Sequence, residues 1–202
     1  MSIHPVQLHV LKAERVPRIQ VAARVVLVLA LGIIAWSSIY WLLYLALPAV
    51  VAVVLLQKGS GTFVSQDAPR LVRALRWLAA AEAYLCFLTN ELPTSLGSAV
   101  DLQVNVTGAP TARSALLRLV TSVPALLLVG ILIAVSSAVW VLAAMCALAT
   151  EQLPDIFAEL FVVVLRMKYR LIAYHLSLVD RYPSLAEGAQ DRSLPGPAPR
   201  IA

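Results

Sequence analysis

Tyr174-His175, followed at a short distance by Asp180, is the one place in this 202-residue chain where residue types suited to proton transfer lie together. A histidine on a membrane helix can relay protons, but the same side chain more often hydrogen-bonds inside its bundle. His4 and His9 share no metal-ligand spacing with cysteines or carboxylates, so no metal site is expected. Ser37-Ser38 and Ser136-Ser137 have no base nearby in sequence, and they read as small-residue packing positions rather than nucleophiles. Gly59-Ser60-Gly61-Thr62 lacks the Lys-Ser/Thr ending of a phosphate loop and reads as a turn. Cys86 and Cys146 both lie in apolar stretches, as packing residues do. The expectation is a non-enzyme with no catalytic residue and no cofactor.

Binding chemistry is better represented. Arg76 precedes Ala83-Tyr84 by the same interval at which Arg166 precedes Ala173-Tyr174. A guanidinium suits a lipid phosphate or a partner carboxylate. Arg76, Arg166 and Arg170, with Tyr84, Tyr174 and His175, are therefore the candidate contacts for anionic membrane lipids or an acidic partner. The alternative for the arginines is an anchor whose stem lies in apolar surroundings while its head reaches the headgroups.

The elements that carry these residues are those of a membrane protein. Sixty per cent of residues are hydrophobic and 13% charged, where soluble domains are near one quarter charged. Residues 25–57 and 119–150 contain no charge, runs of 33 and 32 residues. About 20 apolar residues cross a bilayer, so both runs exceed one straight crossing. They must tilt, lie partly in the interface, or bend, with Pro48 and Pro124 as the candidate bends. Trp36, Tyr40, Trp41 and Tyr44, inside the first run, suit either the headgroup level of a broken helix or packing on a neighbour. The net charge of +5 comes from basic residues flanking the apolar runs. It therefore points to anionic lipid rather than nucleic acid. Lys12, Arg15, Arg18 and Arg24 against Glu14 predict a cytoplasmic N-terminus, and richness in Ala, Val, Leu and Arg points to a GC-rich bacterial genome, so the expected location is a bacterial plasma membrane.

The pattern occurs twice. Shifted by 94, Val6, Leu8, Val10 and Arg24 fall on Val100, Leu102, Val104 and Arg118; shifted by 90, Leu75, Arg76, Tyr84 and Pro93 fall on Leu165, Arg166, Tyr174 and Pro183. The expected organisation is a first membrane unit over 1–97, a second over 98–185 and a disordered tail over 186–202. Each unit opens with period-two alternation, a short strand, and the two strands can satisfy their backbones by pairing in a two-stranded ribbon. A long apolar helix and a charged amphipathic helix follow. In the second unit the charged helix starts after Pro154, with a polar stripe through Asp155, Glu159, Arg166, Arg170, Ser177 and Arg181. In the first it starts at Pro69. The fold class is thus mainly α and integral to the membrane, with about four embedded helices. Strand pairing requires each unit to cross an even number of times.

With these residues in place, the unit resembles a bacterial membrane-protein family described only as domain of unknown function 4389. The likeness rests on His4-Pro5-Val6-Gln7-Leu8-His9-Val10, on the arginine before Ala-Tyr, and on the closing Asp180-Arg181-Tyr182-Pro183. The first unit ends in Asn90-Glu91-Leu92-Pro93, departing from that ending at Asn90 and Leu92. The resemblance covers nearly the whole chain except the tail and implies membrane location and a repeated unit, but no activity. Function is expected to be that of an accessory or scaffold subunit of a membrane complex. The alternative is a lipid-handling or transport component that binds anionic headgroups.

Overall fold

A computed structural model describes residues 4–35, 38–93, 99–107, 110–121 and 123–182; for Leu31–Ala35, residues 38–45 and Leu119 it describes backbone only. The tail over 186–202, Trp36, and the side chains of Tyr40, Trp41 and Tyr44 lie outside what it describes.

The two alternating segments form strands β1, Val6–Val10, and β2, Val100–Val104. They pair antiparallel, with Val6 opposite Val104, Leu8 opposite Leu102 and Val10 opposite Val100. The ribbon expected from period two is present. Val6, Leu8 and Leu102 are buried, while Gln7, Asp101 and Gln103 fall on the other face. Beyond the strand ends, the Asn105 N–H donates to the Pro5 carbonyl at 2.9 Å and the Leu11 N–H to the Ala99 carbonyl at 2.8 Å. Alternation then puts Val6, Leu8 and Leu102 at non-hydrogen-bonded positions, whose carbonyls point outward from the ribbon edges.

Six α-helices follow the same chain order in both halves. They are α1 Arg18–Ala35, α2 Ser38–Thr62 and α3 Ala68–Leu85, then α4 Ala112–Thr121, α5 Val123–Thr150 and α6 Asp155–His175. A π-helical turn, Phe63–Asp67, joins α2 to α3. Pro48 lies inside α2, and non-helical backbone geometry occurs at Gly59, φ 78° and ψ 160°. Glycine reaches that conformation at no steric cost, and it releases the chain as the expected turn would. Pro124 occupies the first turn of α5, where its missing N–H costs nothing. Pro154 caps α6, with Asp155 in the first turn.

The ribbon packs on α3 and α6, which also pack on each other, and α5 packs on α6. The contacts of α6 separate by face. At 100° per residue, Arg166 and Arg170 lie on the side of the ribbon. Met167 and Leu171 lie on the side that meets Ala125 and Val129 of α5. The polar stripe expected along α6 is exposed only at its start, at Asp155 and Glu159, and turns inward from Arg166 on. Arg170 and Ser177 are fully buried, Ser177 lies beyond the helix end, and Val164, Leu165 and Leu171 are buried as well. The reason is that the later turns of α6 are surrounded by the ribbon, α3, α4 and α5, so polar and apolar positions there are enclosed alike. Among the described residues, two helical stretches are long and apolar enough to cross a membrane, Ala46–Leu85 and Val123–Thr150. Buried positions on α5 include Ala143, Ala144 and Ala147, small side chains that let helices approach closely.

Candidate functional site

The arginines singled out in the sequence meet at the ribbon edges. Arg76 Nε donates to the Leu102 carbonyl at 2.9 Å. Arg166 Nη2 donates to the Leu8 carbonyl at 3.3 Å, and Arg170 Nε to the Val6 carbonyl, also at 3.3 Å. Each half thus holds the strand of the other. A two-stranded ribbon leaves both outer edges unpaired, and a buried carbonyl without a donor is costly. Guanidinium groups with several donors can close such edges. At these three residues the structure gives bonds to the chain's own backbone.

Tyr84 and Tyr174 carry a second arrangement that recurs in both halves. The Arg24 guanidinium stacks over the Tyr84 ring at 3.8 Å and donates to Asn90 Oδ1 at 3.1 Å. The Arg118 guanidinium stacks over Tyr174 at 4.8 Å and donates to Asp180 and, at 2.6 Å, to the Val179 carbonyl. The helices beneath end alike. The Phe87 N–H bonds the Tyr84 carbonyl and the Leu88 N–H the Ala83 carbonyl; Ser177 and Leu178 do the same with Tyr174 and Ala173. This is a Schellman ending. Its left-handed residue is Phe87, φ 62°, in one half and Ser177, φ 56°, in the other. His175, only 1% exposed, lies beside Tyr174 with ring centroids 6.3 Å apart. Tyr174 itself bonds Thr121 Oγ1 at 3.2 Å.

Sequence reasoning did not find the remaining feature, a cavity of about 400 Å³ where the halves meet. Its walls come from α1 (Val28), the end of α3 (Glu82, Leu85, Cys86), the middle of α5 (Ile133, Ser136, Ser137, Trp140) and α6 (Phe161, Leu165, Lys168). Lys168 donates to Glu82 at 2.5 Å, and the two side chains are 18% and 28% exposed. The Trp140 indole N–H is committed to the Leu85 carbonyl at 2.9 Å, so its ring presents an apolar surface. Lys168 and Glu82 are 86 residues apart, and no spacing rule connects them. The available signal was that both are charges on helices otherwise packed with apolar residues. A second, more polar cavity of about 460 Å³ lies between Lys12–Glu14 and Thr150–Asp155. Among the described residues no cluster of histidine, cysteine and carboxylate side chains could hold a metal ion. Cys86 and Cys146 are free thiols.

No family model matches the chain, and comparison with curated proteins and with solved structures also finds no match.

Proposed function

We propose that the chain is a multi-pass protein of a bacterial plasma membrane that serves as a non-enzymatic accessory or scaffold subunit of a membrane complex. The observation that carries this reading is the contrast between the two sides of α6. On one side lies α5, 28 residues long, whose most apolar stretch has a mean hydropathy of 2.6 and is only 11% buried. Leu127, Ile131 and Met145 are among its exposed side chains. Such a surface is covered by lipid or protein, not by water. On the other side lies the ribbon, with Gln7, His9, Asp101 and Gln103 outward. The chain from Val6 to Lys12 meets Arg170, then Arg166, then Asp155, so the ribbon runs alongside α6. With α5 across the bilayer, that polar face sits at membrane depth. A polar face there needs a protein partner.

The proposal includes a duplicated unit and the resemblance to domain of unknown function 4389. The matching pairs Arg24–Tyr84 and Arg118–Tyr174, and the matching helix endings, support it. In this reading the apolar segments and the helices packed on them make four embedded helices. The N-terminus is cytoplasmic, where Arg15 and Arg18 flank Glu151 at 3.5 and 3.7 Å. Lipid handling is the second reading, favoured by the cavity that holds Glu82 and Lys168.

Alkaline carbonate extraction followed by mild-detergent purification and mass spectrometry tests both. A protein that stays in the membrane and brings stoichiometric partners supports the subunit. Release by carbonate refutes the membrane reading. A lone protein carrying bound lipid refutes the subunit reading in favour of lipid handling.

A further inference from the structure

We propose that the cavity between α1, α3, α5 and α6 binds a zwitterionic phospholipid, with its ammonium at Glu82 and its phosphate at Lys168. The inference rests on the reading that α5 lies in the bilayer. Ser136 and Ser137, which line the cavity, are at the midpoint of α5. An ionisable pair at that depth is expensive, and such pairs mark binding or transport sites. Glu82 and Lys168 stand side by side and remain partly exposed to the cavity. Their charges cancel. A ligand with one net negative charge would be held by Lys168 but opposed by Glu82. A head group carrying both signs replaces one ion pair by two, so no charge is left uncompensated.

The walls specify the rest of the ligand. Leu85, Ile133, Phe161, Val164 and Leu165 present hydrocarbon, and the Trp140 ring adds to it. A small water-soluble zwitterion would leave these walls unmatched, whereas an acyl chain fits them. The volume of about 400 Å³ falls within the range of ligand pockets. It accommodates a head group and part of a chain. Ser137 is exposed at the rim, one turn from exposed Val141 on α5, which gives the remainder of the lipid a way out into the bilayer.

The test uses the full chain purified in detergent, exchanged against phosphatidylethanolamine or phosphatidylglycerol of matched acyl chains, with adducts counted by native mass spectrometry. Phosphatidylethanolamine is expected to be retained ~10-fold more than phosphatidylglycerol, the size of one charge-assisted hydrogen bond. Glu82→Gln and Lys168→Met should each abolish the preference. Ser136→Phe, which leaves both charges in place, should block retention by filling the cavity. Exchanging the charges, Glu82→Lys with Lys168→Glu, should keep both the fold and the preference. Phosphatidylglycerol bound as well as or better than phosphatidylethanolamine overturns the proposal, as does undiminished retention in a folded Ser136→Phe variant. A chain released by carbonate instead fails the bilayer reading itself, so the two failures are distinguishable.

Discussion

Asn90 holds Arg24 where Asp180 holds Arg118. The two guanidinium groups are both buried and both stacked on a tyrosine, but only one faces a carboxylate. The amide has a local reason: Asn90 Nδ2 also donates to the Arg15 carbonyl, and a carboxylate in its place has no proton to donate. Arg118 bonds the Tyr174 and Val179 carbonyls besides Asp180. Arg118→Met therefore strands two backbone acceptors and an acid, whereas the acceptors that Arg24→Met strands among the described residues are side-chain oxygens, those of Gln20 and Asn90 included. Thermal melts in detergent should show Arg118→Met more destabilising by about 2 kcal/mol, within the usual cost of orphaned buried polar groups. Equal melting temperatures would contradict this.

Arg76 and Arg166 close opposite edges of one ribbon, so each should matter through the backbone it covers. Arg76→Met leaves the Leu102 carbonyl without its donor, and Arg166→Met does the same for Leu8. A loss of about 1–3 kcal/mol is expected for each. Lysine at either position should restore part of it, because an ammonium donates but lacks the planar fork. If these side chains serve lipid capture instead, the methionine variants will melt like the wild type and lose only lipid adducts.

The paired left-handed residues separate strain from packing. Ser177 is buried at φ 56° and its hydroxyl has no hydrogen-bond partner. Ser177→Gly removes both costs and should stabilise the protein by about 1 kcal/mol. Phe87 has the same backbone, but its ring stacks on Trp140 at 5.4 Å and is fully buried. Phe87→Gly should therefore destabilise, by about 3 kcal/mol or more. Opposite signs in a chemical or thermal unfolding assay are the expected result.

Ile131, exposed on α5, tests what surrounds that helix. Ile131→Arg places a charge near the middle of an apolar span, at a cost of about 3 kcal/mol for membrane insertion. The membrane-integrated fraction after carbonate washing should fall. Gln103→Arg, on the exposed face of the ribbon, should leave insertion unchanged.

How much of this was legible in the sequence follows from the range of each interaction. The ribbon was readable because alternation at 6–10 and 100–106 is a local signature of side-chain faces. The helix start after Pro154 was readable for the same reason. The roles of Arg76 and Arg166 were not, because an arginine's partner here is a backbone carbonyl in the distant half, and carbonyls carry no sequence mark. The break at Gly59 is a further case. A glycine permits a break, and only packing decides whether it is used. The Glu82–Lys168 pair was invisible because neither residue predicts the other until α3 and α6 are side by side.

The enclosure of β1 by α6 sets an order for biosynthesis. β1 leaves the ribosome well before α6: Arg166 and Arg170, which cover its outer edge, follow the residues they hold by 158 and 164 positions. At cellular elongation rates that delay is about 10–30 seconds. β2 arrives earlier and can protect only one edge. During the interval the nascent strand keeps a row of unpaired backbone groups while the apolar helices behind it are still being made. A chain terminated before α6 would keep that edge open permanently, ready to pair with the same strand of another copy.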